Sequence, residues 1–242
     1  MKKLNELTQP TGVAANAHRR SFLRTVGAAA VTGGLLTACS TADLQVSPDG
    51  ARAAAPGDVI TLPGGDLGIL NYAFVLEQIE ARFYELVLAN PYENITAMEL
   101  QLFQDLRNHE VTHRAFYRAA LGSAGIPDLT LDFSDINFRQ RTDVLEASRM
   151  FAEIGTAAYN GGGKYLTDPE NLALAGKIVS VEARHVSIIR EMEYMNQTAF
   201  AGDNIVVDAG LFIKLEPLEV LPKAQKYVRE IIDARNLPTN VA

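Results

Sequence analysis

Two short stretches decide the fold: His109-Glu110-Val111-Thr112-His113 and Val181-Glu182-Ala183-Arg184-His185. Each sets a glutamate three residues before a histidine, and residues three apart on a helix project from one side of it. Both pairs share that side with apolar residues. Leu106 and Phe116 or Tyr117 flank the first, and Ile178, Ile188 and Ile189 flank the second. Ionisable groups on a core-facing stripe are costly unless paired or coordinated, so the pattern points to metal rather than to a solvated face.

Outward from the two motifs, helical periodicity recurs. Asp66 opens a first helix as its N-cap, with Leu70, Ala73, Phe74, Glu77, Ala81, Tyr84 and Leu88 at spacings of three and four, ending near Asn90-Pro91. Thr96 with Glu99 forms a capping box for a second helix that runs to Leu121-Gly122. About twenty residues without a period follow, the length of a crossover between two helices of a bundle. A third helix is expected over Thr142–Asn160, and Gly161-Gly162-Gly163 should weaken or kink it. Thr167-Asp168-Pro169-Glu170 starts a fourth, which carries Glu182 and His185. A shorter element is expected near Leu218–Ala234. The expected class is all-α, a four-helix bundle with one long crossover between helices two and three, spanning residues 66–200, plus a C-terminal extension at 201–242.

On those helices the order is a lone Glu77, then Glu110 with His113, then Glu153, then Glu182 with His185. Hard carboxylates and one imidazole per ion suit two iron or manganese ions, iron foremost. In this reading Glu110 and Glu182 bridge, Glu77 and His113 complete one position, and Glu153 and His185 the other. Glu80 is the reserve for Glu77. Glu153 is favoured over Glu146 because its distance in sequence from Glu182 matches that from Glu77 to Glu110. His109, beside the inward-facing Glu110, is expected to point elsewhere. Tyr84 and Tyr159 are candidates for hydrogen-bond donors to the ligands or for redox-active phenols, although a packed tyrosine is the commoner case.

The chain has 242 residues and a net charge of −7. Residues 1–38 hold five cations against one acid, a balance of +4, so the rest carries −11. An acidic body of this kind repels phosphates, which excludes a nucleic-acid partner and favours cations. The single Cys39 excludes an intramolecular disulfide framework. Arg19-Arg20 with Phe22-Leu23, followed by an uncharged run, resembles a twin-arginine export signal, and Leu36-Thr37-Ala38-Cys39 resembles a lipobox. Residues 1–39 are thus expected to be an export segment and residues 40–65 a flexible tether. The protein is then periplasmic or in the cell envelope, with a lipid on Cys39 as its sole membrane contact.

The segments Leu76–Tyr84, His109–His113, Gly155–Gly161 and Val181–His185 together resemble the ferritin-like superfamily, and more narrowly exported ferritin-like proteins related to plant desiccation-related proteins. The resemblance covers about residues 66–195. It implies metal ions and dioxygen or peroxide as partners, with oxidase, ferroxidase or peroxidase chemistry, and it is compatible with a homodimer. A non-catalytic metal-binding or stress-protective role is the competing expectation. No catalytic residue is singled out by the sequence.

Overall fold

The computed structural model describes residues 54–195, 199–207 and 209–239. The export motifs and Cys39 lie outside the described residues. The elements run β1 (Val59–Thr61), α1 (Gly65–Ala89), α2 (Ala97–Leu121), α3 (Arg141–Gly162), α4 (Pro169–Tyr194), β2 (Val206–Val207), β3 (Leu211–Phe212), α5 (Pro217–Ala224) and β4 (Ile231–Asp233). The four long helices form the all-α, ferritin-like bundle. α1 packs along α2 and α3 along α4. No described helix is long and apolar enough to cross a membrane.

Local chemistry sets the helix ends. The Thr96 side chain accepts from the Glu99 amide while Glu99 reaches back to the Thr96 amide, closing the capping box of α2. Asp168 accepts from the Glu170 amide and Pro169 occupies the first turn of α4. The start of α1 differs from expectation, since Gly64 is its N-cap. Asp66 instead accepts from the Thr167 and Asp168 amides, the Thr167 hydroxyl and the Asn171 amide. Burial would raise its pKa, but those donors outweigh it and hold the carboxyl at about 2. Asp66 thus ties the first turn of α1 to the first turn of α4.

The crossover, residues 122–140, is held by two amides buried on α1. Asn71 donates to the Ala124 carbonyl and accepts from the Ile126 amide, and Gln78 does the same with the Pro127 carbonyl and the Leu129 amide. Each side chain replaces one backbone donor and one acceptor, so an irregular segment packs on the core without stranded polar groups.

Three expectations are corrected. The glycine run does not kink α3, which continues to Gly162 before a 3₁₀ turn at Gly163–Tyr165. At Gly161 a Cβ would overlap the Leu215 carbonyl, and the Leu215 amide donates to Ala157 at 3.0 Å. Its lack of a side chain lets the C-terminal segment lie against α3. Residues 59–62 are not tether: β1 pairs in parallel with β4, Val59 opposite Ile231, and Ile60 and Leu62 are buried. The extension is not one helix over Leu218–Ala234. Pro222 sits inside the short α5, and the chain turns at Gln225–Tyr227 into β4. Tyr227 then packs edge-on against Phe151, which contacts Phe83 of α1, so the extension completes the main core.

Candidate metal centre

The Glu-x-x-His residues of α2 and α4 meet in the bundle interior. Glu110, Glu182 and His185 are buried and His113 is partly so. One ligand atom each from Glu77, Glu110, His113 and Glu182 lies within 4.8 Å of the others, a cluster able to hold a metal ion. His113 Nδ1 stands 2.9 Å from Glu182 Oε1, 3.4 Å from Glu77 Oε2 and 3.6 Å from Glu110 Oε2. His185 Nδ1 stands 2.8 Å from Glu110 Oε1 and 3.2 Å from Glu182 Oε2. Each of the two carboxylates therefore turns one oxygen toward His113 and the other toward His185.

These short separations do not amount to full hydrogen bonding. Both oxygens of Glu110, Oε1 of Glu182, Oε2 of Glu77 and Nδ1 of His113 are buried without a properly directed partner. Buried polar atoms are nearly always satisfied, so a group of unpartnered oxygens and a nitrogen aimed at a shared space is a donor set that a cation would satisfy. Carboxylates with two imidazoles form a donor set that fits iron or manganese better than copper or structural zinc.

Charge balance makes the same point. Burial and the facing carboxylates Glu110 and Glu182 push Glu77 up to about 8, against the pull of His113. Glu80 is raised further by burial and by Glu110, Glu182 and Glu77. Burial would likewise raise Glu110, but His113 and His185 outweigh it and hold it at about 2. Burial opposes charge on the two histidines, yet Glu110, Glu182 and Glu77 hold His113 well above its usual range, and Glu110 with Glu182 raises His185 to about 10. The cluster thus favours added positive charge, whether as protons on its imidazoles and on Glu77 and Glu80 or as cations in their place.

Glu153 is not brought to this cluster. It pairs with Arg190 at 2.5 Å and Arg149 at 3.2 Å, at the rim between α3 and α4. The physical reason is Arg190, which is buried and also donates to the Ala199 carbonyl and Asn204. A buried guanidinium needs a counter-charge, and Glu153 provides it. Opposite the cluster α3 presents Gly155, where a Cβ would overlap Glu80 Oε1. Glu80 of α1 thus occupies the space left to α3, buried with its Oε2 unpartnered. The available signal was in the sequence: Glu77 and Glu80 are themselves three apart, and a glycine faces them from α3.

His109 also departs from expectation. Its Nδ1 lies 3.0 Å from His185 Nε2, the rings nearly parallel at 6°. His185 therefore turns Nδ1 to the carboxylates and Nε2 to a solvent-facing partner. Tyr159 donates its hydroxyl to Glu77 Oε1 in a short contact and lies 2.9 Å from the Tyr117 hydroxyl. Tyr84 is fully buried beside Glu80, and burial with the charges of Glu80, Glu110 and Glu182 pushes its phenol well up.

The family described as ferritin-like domain matches residues 65–195, more than half of the chain and all four long helices. No curated protein matches the sequence.

Proposed function

Because the chain belongs to the ferritin-like domain family, we propose that it is an exported two-metal oxidase that binds iron or manganese between α1, α2 and α4. The observation carrying this is the alternation of Glu110 and Glu182 oxygens between His113 and His185. A carboxylate that offers one oxygen to each of two nitrogen-bearing positions is placed to bridge two cations. Glu77 and His113 would hold one ion. His185 would hold the other, with Glu80 in the place first assigned to Glu153. The metals, when bound, supply electron transfer between divalent and trivalent states to dioxygen or peroxide.

The protein's own groups prepare the site. Tyr159 fixes the orientation of Glu77 through its hydroxyl, and His109 fixes the ring of His185 from its far nitrogen; such outer partners orient ligands and tune their basicity. Tyr84, Phe103 and Leu106 are buried on the helices that carry Glu80, Glu110 and His113. Export is inferred from Arg19-Arg20, and attachment to the envelope from Cys39.

The test is dioxygen consumption by the Fe²⁺-loaded protein. Turnover that disappears in a Glu182→Ala variant supports the reading. Two ions bound with no consumption of dioxygen or peroxide would leave a non-catalytic metal-binding protein in its place.

A further inference from the structure

At the end of the bundle where α1 begins and α3 ends, a cavity opens partly to solvent, about 330 Å³ with the open solvent at its mouth included. It lies among Leu70 and Ala73 of α1, Ala158 and Tyr159 of α3, Gly163, and Ala175 of α4. Its surface is almost entirely carbon. Of the three phenols on its lining, Tyr159 and Tyr117 are hydrogen-bonded to one another and Tyr159 also to Glu77, whereas the Tyr72 hydroxyl is buried and unpartnered. With no charged residue in its lining, such a space offers no counter-charge to an ionic ligand. Closed apolar cavities stay dry and take up apolar molecules and gases such as xenon, and the inner part of this space has that kind of lining.

Two features show how the room is kept. A Cβ at Gly162 would stand 3.3 Å from Tyr72 Cε1, so a side chain there would crowd the wall. At Gly163 a Cβ would meet only Leu172 Cδ1 at 3.8 Å, so a larger side chain there has room to lie across the mouth. The glycine run thus serves two ends: Gly161 seats the C-terminal segment, and Gly162 and Gly163 leave this space unfilled.

We propose that this cavity is a holding site for dioxygen, one tyrosine pair away from Glu77. The use made of that dioxygen rests on the two-metal reading above; the binding itself does not. The position is consistent with supply to the carboxylate cluster from the bundle end, since Tyr159 lines the cavity with its ring and touches Glu77 with its hydroxyl.

The experiment uses the metal-free full chain, so that it stands or falls apart from metal binding. Methyl NMR relaxation is compared under dioxygen and under nitrogen pressure. The methyls of Ala73, Ala158 and Ala175 should show several-fold greater paramagnetic enhancement than that of Ala152, which is fully buried elsewhere in the core. The excess should be lost in Gly163→Leu, and at Ala73 and Ala158 in Ala175→Val, two independent fillings, each accepted only if its methyl spectrum remains dispersed. Equal enhancement at all four alanines, or an excess that survives both fillings, would overturn the proposal. A chain that shows the excess but binds no iron or manganese would sink the oxidase reading and leave the cavity assignment standing.

Discussion

Replacing Gly155 by alanine tests the assignment of Glu80 without touching any charged group. The new methyl would overlap Glu80 Oε1 and stand 3.4 Å from its Cδ and 3.7 Å from its Oε2. Ordinary carbon contacts lie at about 3.5–4.0 Å, so the carboxylate must retreat by roughly 1 Å. Overpacking of this size costs about 1–3 kcal/mol, and the gain from alanine over glycine in a helix offsets up to about 1 kcal/mol of it. At about 2–4 °C per kcal/mol for a chain of this length, the metal-free melting point should fall by less than about 10 °C. The larger effect falls on metal, because ligands tolerate displacements of only about 0.5 Å. Affinity for the second ion should drop about 10–100-fold, the scale seen when a ligand's support is removed. Calorimetric titration with Mn²⁺ reads both sites, and Glu80→Gln, which keeps the shape and removes the charge, should give the same loss. If Gly155→Ala stays folded and binds two ions as tightly as the parent, Glu80 is not a ligand and the reasoning fails.

Three further outcomes follow from the geometry. Glu153→Gln should leave metal stoichiometry unchanged but destabilise the fold by about 3–5 kcal/mol, because it strips the buried Arg190 of its counter-charge; chemical denaturation with metal analysis separates the two. Tyr159→Phe should weaken metal binding about tenfold by freeing Glu77 Oε1, at little cost in stability. Metal-free stability should fall as pH rises. His185, at about 10 against an ordinary 6.5, and Glu77, at about 8 against 4.5, bind protons more tightly folded than unfolded, so their contribution is full at low pH and fades up to about 10. Glu110, depressed to about 2, acts oppositely and its contribution is lost below about 4.5. Melting curves should therefore show a maximum near pH 4.5 for the metal-free chain and decline from there as Glu77 and then His185 lose their protons, whereas the stabilisation added by Mn²⁺ should grow with pH as protons cease to compete.

The two Glu-x-x-His pairs were legible because a three-residue spacing within an apolar stripe has one geometric meaning, and the caps at Thr96 and Asp168 fixed where their helices begin. Glu153 was misplaced because sequence spacing describes one helix at a time. Which acid faces the centre of α3 depends on Arg190, a neighbour from another helix that competes for the same carboxylate. Gly155 held the missing information in negative form, as room for a side chain reaching over from α1. His109 was set aside because adjacent residues on a helix diverge, but a long imidazole one position from the inward face still reaches His185 at its edge. The Gly161-Gly162-Gly163 run looked like a helix breaker, and only the backbone of Leu215 and the cavity beside Tyr72 explain it. The pairing of Val59–Thr61 with Ile231–Asp233 joins segments some 170 residues apart, beyond the reach of any local pattern.

The claim at the centre of this account is that Glu110 and Glu182 are shared between two ions. Anaerobic loading with Fe²⁺, followed by elemental analysis of the desalted full chain, tests it most directly. The account predicts two ions per chain, and near-complete loss of both from Glu110→Ala and from Glu182→Ala while the helical circular dichroism persists. A chain that retains no metal, or that keeps one ion undisturbed when either glutamate is removed, would contradict it.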